Sequence, residues 1–164
     1  MKALLIAVLS IAGISLASAD CGSCGAGQKA DVAANDADGK CASGCCDLLK
    51  AYEGVATALA HDDFEGAKKA AHKVAHFGEC DGNEKLTALA MKVEKAPDIA
   101  AAREAFKAVS AAVIPLTENA GEHYVMTCPM AKADWIQTTK DVANPYFGSS
   151  MLKCGSVKRT VAAK

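Results

Sequence analysis

The stretch DIAAAREAFKAVSAAVIPL, residues 98–116, decides the fold. Its apolar residues Ile99, Ala102, Phe106, Val109, Val113 and Leu116 recur at spacings of three and four, which lines them along one side of an α-helix. Asp98 opens this helix, Pro115 loosens its last turn, and Gly121 ends it. Upstream, Asn83 followed by Glu84 starts another helix, with Leu86, Leu89, Ala90 and Val93 inward, which stops before Pro97. A helix from Asp62 or Asp63 to about Phe77 precedes it, with Phe64, Ala67, Ala71 and Val74 as its core stripe and Gly78 as its terminator. The first helix runs from Cys46 to Ala60 through Leu48, Leu49, Tyr52, Val55, Ala56 and Leu59. Four amphipathic helices with short links predict an all-α domain, an up-down four-helix bundle whose alanine-rich faces let the helices approach closely.

Outside the helices the chain divides into segments of different chemistry. Met1-Lys2, an apolar run from Ala3 to Leu16 and the small residues Ala17-Ser18-Ala19 have the form of a secretory signal peptide, residues 1–19. Asp20 before Cys21 is the wrong residue for a lipoprotein site. Residues 20–44 are rich in Gly, Ala, Asp and Ser and read as a flexible tail, leaving 45–164 as the helical domain with its C-terminal element. Removing the one lysine among residues 1–19 moves the net charge from −1 to −2. That balance gives nucleic acid no electrostatic footing, and no segment after the signal is apolar enough to span a membrane. The expected location is periplasmic or secreted.

All eight cysteines lie beyond the signal. In an exported chain the default reading is disulfides, but the spacing is not that of a simple framework. Cys21 and Cys24 form a Cys-x-x-Cys pair in the tail, and Cys41, Cys45 and Cys46 follow. Disulfides and auxiliary metal capture both stay open for this group. Cys-x-x-Cys redox chemistry needs a thioredoxin-like order of elements, and c-type haem attachment needs a histidine after Cys24, where Gly25 stands. His72 and His76 are one helical turn apart, with Cys80 four residues on. Two imidazoles at that spacing can grip one ion, zinc for example, or they can be a pair of solvated surface residues.

The C-terminal stretch concentrates the soft chemistry. His123, Met126, Cys128, Met130, Met151 and Cys154 fall within about thirty residues, together with the single tryptophan, Trp135. Thiolate and thioether ligands select Cu(I) over hard cations. Tyr124–Cys128 and Leu152–Val161 have the composition of a two-stranded ribbon, in which Met126 and Cys128 share a face and Cys128 approaches Cys154. That approach supports either a soft-metal site or a disulfide staple.

The residues Cys128-Pro-Met130, Trp135-Ile-Gln137, Asn144-Pro-Tyr-Phe-Gly148 and Met151-Leu-Lys-Cys154-Gly155, preceded by Ala102-Arg103-Glu-Ala-Phe106 and Val109-Ser110, resemble an exported domain-of-unknown-function family. Similar domains also occur appended to the periplasmic adaptor subunits of copper and silver efflux systems of the RND type. The resemblance covers about residues 47–158. It implies a four-helix bundle in a heavy-metal setting, with Cys128, Met130, Met151 and Cys154 as signature residues and an efflux adaptor or other envelope protein as partner. The tail cysteines and the His72, His76 and Cys80 group lie outside that pattern. The functional expectation is a Cu(I)-binding protein that sequesters copper or hands it to efflux. The alternatives are a disulfide-stapled interaction domain and a thiol-disulfide oxidoreductase. No Ser-His-Asp order, phosphate-binding glycine loop or catalytic carboxylate pair marks the chain as an enzyme.

Overall fold

The computed structural model describes residues 47–162. The expected signal peptide, the tail and Cys21, Cys24, Cys41, Cys45 and Cys46 lie outside the described residues. Four helices come first: α1 (Leu48–Ala60), α2 (Phe64–Cys80), α3 (Glu84–Glu94) and α4 (Ile99–Val113). Each begins where a short polar side chain accepts from free amides of the first turn: Asp47 from Leu49, Asp63 from Gly66, Asn83 from Leu86 and Asp98 from Ala101. Helix α1 packs on α2, α2 on α3, and α3 on α4. Small residues dominate the contact, with Ala51, Ala56, Ala67, Ala71, Ala75, Ala90 and Ala102 buried among Leu59, Leu86, Val93 and Phe106.

Three helical expectations are corrected. Helix α2 does not stop before Gly78 but runs through it to Cys80. A Cβ at Gly78 would stand 2.5 Å from Thr87 Oγ1 and 2.8 Å from the Thr87 amide, so this glycine serves the close approach of α3. The left-handed residue after the helix is Gly82, at φ 67°. Helix α4 ends at Val113, and the Pro115 segment tightens into a 3-10 turn, Ile114–Thr117. The altered rotation per residue turns Leu116 away from the core, to 47 % exposure.

The C-terminal element is larger than a two-stranded ribbon, so the domain is helical with a small sheet rather than all-α. Strands β1 (His123–Cys128), β2 (Ala133–Gln137) and β3 (Ser156–Val161) form an antiparallel sheet in the order β2-β1-β3. The anticipated β1–β3 pairing is present, but β3 starts at Ser156 rather than Leu152, and β2 occupies the other edge of β1. Strand β2 lies against α4 and α1. Among the described residues no helix is long and apolar enough to cross a membrane.

Two polar devices fix the sheet and its following loop to the helices. Ile136 N donates to Tyr52 Oη at 3.3 Å, and Tyr52 Oη lies 2.6 Å from Ser110 Oγ. Tyr146 Oη touches both Ser110 Oγ and the Asp134 carbonyl. A carbonyl only accepts, so the single Tyr146 hydroxyl hydrogen goes to Asp134 and Ser110 supplies the one between them. All these hydroxyls are therefore satisfied in the interior.

The second device is Arg103 on α4. It donates to Leu59 O at 2.8 Å and Pro145 O at 3.2 Å, and pairs with Asp62, which in turn accepts from the Ser149 amide at 3.1 Å. A Cβ at Gly148 would run into Arg103 and Asp62, and this glycine has φ 59°, so the loop needs glycine there on both counts. Hydrogen bonds from the Ser149 side chain and Arg103 hold the Asp62 carboxyl at about 2, below its ordinary 3.8. A depressed folded-state value means that this contribution is complete above 3.8 and disappears as pH falls through about 2. Acid unfolding of an Asp62→Asn variant, followed by circular dichroism, should lose stability less steeply than the parent over that window; identical acid profiles would remove Asp62 from the account.

Candidate metal centre

Strand alternation decides which chemistry reaches the helices. Along β1, Tyr124, Met126 and Cys128 face the helical core, and Met126 and Cys128 are fully buried, as their spacing predicts. Pro129 and Met130 then leave the strand, and Lys132, in the left-handed region at φ 51°, turns the chain back into β2. Gln137 at the end of β2 organises the next loop. Its side chain accepts from Trp135 Nε1 at 3.0 Å and Ala143 N at 3.2 Å, and donates to the Thr139 and Asp141 carbonyls. The loop thereby delivers Asn144, fully buried, beneath the 3-10 turn Gly148–Met151.

That turn carries Cys154 to Cys128. Their sulfurs are 3.7 Å apart and neither is in a disulfide. Gly155 makes the approach possible. At φ 144°, a Cβ here would stand 2.6 Å from Trp135 Cη2 and 2.9 Å from Thr127 O. Cys154 is half-buried, and Cys128 lies at the floor of a groove of about 540 Å³ flanked by Lys107, Lys132 and Lys158.

The two thiols are electrostatically unequal. Burial pushes the Cys128 thiol up, but hydrogen bonds from the Ala131 amide, the Asn144 side chain, the Cys154 thiol and the Met130 amide outweigh it, and its pKa falls below the ordinary cysteine value. The Ala131 N–H is 3.4 Å from the sulfur. Donating its hydrogen to Cys128, burial, and the Cys128 charge all raise the Cys154 thiol. Of the two thiols, Cys128 is therefore the one that ionises first. Two sulfurs bound at about 2.3 Å to one metal are about 3.8 Å apart at a tetrahedral angle and about 4.6 Å apart when collinear. The observed separation suits a bent pair with room for further ligands.

The remaining candidates divide by position. Met130 is 63 % exposed and lines a groove of about 310 Å³ with Arg103, Lys107, Tyr146 and Ser150. Met151 is half-buried in the 3-10 turn, and Met126 is sealed two residues along the face that Cys128 shares. His123 does not join them. It begins β1 on the opposite face, five residues from Cys128 at about 3.3 Å each. Its Nδ1 lies 2.9 Å from the Gly121 carbonyl and so carries the hydrogen, while Nε2 is buried without a partner.

His72 and His76 are accessible, as expected, but each faces its own carboxylate, His72 with Glu94 at 3.3 Å and His76 with Glu79 at 3.6 Å. Cys80, 3.8 Å from His76 Nε2, is disulfide-bonded, so its sulfur is no thiolate ligand. Among the described residues no group of three or more His, Cys, Asp and Glu side chains is placed to hold an ion. Asn144 and Gly155 stand in the sequence motif without a local signal for what they do, and β2 carries none for a strand. Trp135, Ile136 and Gln137 are all buried, which hides strand alternation.

A Gly155→Ala substitution tests the packing that carries Cys154. It should slow formation of a Cys128–Cys154 crosslink by a bifunctional thiol reagent by about tenfold or more, because an L-residue is disfavoured at this φ and the side chain meets Trp135. Equal crosslinking rates in the parent and the variant would show that Gly155 does not set the approach.

Comparison with known proteins bears on the helical part. Residues 48–124 match the family model described as a protein of unknown function (DUF3347). The match spans the four helices and ends at the start of β1, before Cys128 and Cys154. No curated protein and no solved structure matches the chain.

Proposed function

We propose that the domain binds a soft monovalent metal ion, Cu(I) by preference, as an exported protein of the cell envelope that sequesters copper or passes it to an efflux adaptor. The observation that carries the proposal is the reduced Cys128–Cys154 pair, 3.7 Å apart, with amide donors against the sulfur that ionises first. Two thiolates with a thioether from Met130, Met151 or Met126 make an all-sulfur set, which hard cations bind poorly. Binding must displace the proton shared by Cys154, so affinity should fall as the solution is acidified. The exposed position of Met130 gives an ion a soft ligand at the surface before it reaches the buried sulfur.

A second reading keeps the same atoms. Two thiols in contact can close into a disulfide that staples the sheet to its following loop, and the disulfide at Cys80 shows that this fold accepts such bonds. Anaerobic titration with Cu(I) against a chromogenic chelator separates the two. The metal reading expects one equivalent bound, with Cys128→Ser and Cys154→Ser each lowering affinity by more than the roughly 10- to 100-fold typical of outer-shell changes. No stoichiometric uptake by the reduced protein, with both thiols bridged in protein isolated from its own envelope, would establish the staple instead. Catalysed insulin reduction would move the function to thiol exchange.

A further inference from the structure

We infer that the disulfide at Cys80 guards a zinc site of its own, in which Cys80, the sulfur bonded to it and His76 take the ion once that bond is reduced. This site stands or falls apart from Cu(I) binding at Cys128 and Cys154. His76 and Cys80 lie one turn apart near the end of α2. His76 Nε2 stands 3.8 Å from Cys80 Sγ, and Nδ1 of the same ring lies 3.6 Å from Glu79 Oε2. The carboxylate draws the ring hydrogen to Nδ1, so Nε2 turns its lone pair to the sulfur. A disulfide sulfur has no hydrogen to give, and two acceptors are left face to face. A carboxylate behind the imidazole is the usual partner of a metal-bound histidine, because it fixes the tautomer that offers the other nitrogen.

The distance suits an ion between the two atoms. Zinc bound at about 2.3 Å to sulfur and about 2.0 Å to nitrogen holds them about 3.6 Å apart at a tetrahedral angle. The third donor is the sulfur bonded to Cys80. Cys128 and Cys154 are free, so that sulfur belongs to Cys21, Cys24, Cys41, Cys45 or Cys46. A disulfide holds its sulfurs about 2.05 Å apart, whereas two thiolates on one zinc stand about 3.8 Å apart, so the bond excludes the ion. Cleavage by a dithiol admits it. The dithiol supplies two electrons and two protons, the S–S bond becomes two thiols, and the dithiol closes to its own disulfide. Zinc then replaces both thiol hydrogens, and two sulfurs with one nitrogen leave a fourth position for water. Thiolate and imidazole together make a zinc set. His72 stays outside it, with Nδ1 3.3 Å from Glu94 on α3. The side chains of His76 and Glu79 are open to solvent, so ion and reductant can reach this turn.

Zinc uptake by the full chain, read against a chromogenic chelator before and after anaerobic reduction with dithiothreitol and its removal, tests the site. The reduced protein should take an equivalent that the oxidised protein does not, and cobalt(II) in its place should show sulfur-to-metal charge transfer. Glu79→Gln should weaken that equivalent about 10- to 100-fold, as for other residues behind a metal-bound histidine, and His76→Ala should weaken it more than Glu79→Gln does. Both residues are solvent-exposed, so these variants leave the helical core intact. Cys128→Ser, which lacks the sulfur pair of the sheet, should keep the equivalent. No added uptake on reduction overturns the proposal. So does an added equivalent that survives His76→Ala unchanged or vanishes in Cys128→Ser, since the ion then lies elsewhere. Peptide mapping of the oxidised protein should join Cys80 to one of the five cysteines before Asp47, and a Cys80 that stays a free thiol there overturns the gate.

Discussion

The structure depends on an aromatic ladder that joins the helices to the sheet. Tyr52 of α1 stacks on Phe106 of α4 with ring centroids 5.1 Å apart, Phe106 meets Tyr146 at 6.1 Å, and Tyr146 meets the edge of Trp135 in β2 at 5.9 Å. Such pairs contribute beyond the area they bury. The interior elsewhere is largely alanine and small β-branched residues, so these four rings are where the core has bulk. Their hydroxyls use the same place for the chain Ile136–Tyr52–Ser110–Tyr146–Asp134. Substituting Tyr52 or Tyr146 would therefore disturb packing and buried polar satisfaction together, whereas Phe106 contributes packing alone.

The candidate site lies at the end of that ladder. Tyr146 is two residues from Asn144, its amide is held by the Asn144 side chain, and Arg103 clamps the intervening Pro145 carbonyl to α4. The loop that brings Cys154 to Cys128 is thus fixed from the helices on one side and from Trp135 and Gly155 on the other. Cys154 on this loop stands in contact with Cys128 at the end of β1 without a covalent bond. The asymmetry of the pair draws on two segments: the Ala131 and Met130 amides belong to the turn after β1, and the Asn144 side chain and Cys154 thiol to the loop.

Much of the helical part was legible in the sequence, for local reasons. Apolar residues at three and four, with Asp63, Asn83 and Asp98 before three of the runs, place the starts of four helices to within a residue or two, while the ends of α2 and α4 fall elsewhere. Gly78 misled because its role is a contact with Thr87, which no local pattern encodes. Leu116 followed the helical period on paper, but Pro115 changes that period in the chain. The approach of Cys128 to Cys154 could be anticipated from a ribbon pairing. The exclusion of His123 follows from the alternation of the same strand, and the sequence reading grouped by proximity in the chain instead. Strand β2, with three consecutive buried residues, carried no period-two signal at all.

The central claim is that two unoxidised sulfurs and a thioether surround one soft ion. X-ray absorption at the copper edge of protein loaded anaerobically with one equivalent of Cu(I) addresses it most directly. The account predicts a first shell of sulfur alone, three-coordinate and bent, that loses sulfur scatterers when either Cys128 or Cys154 becomes serine. A shell built from nitrogen and oxygen, or one unchanged by those substitutions, would contradict it.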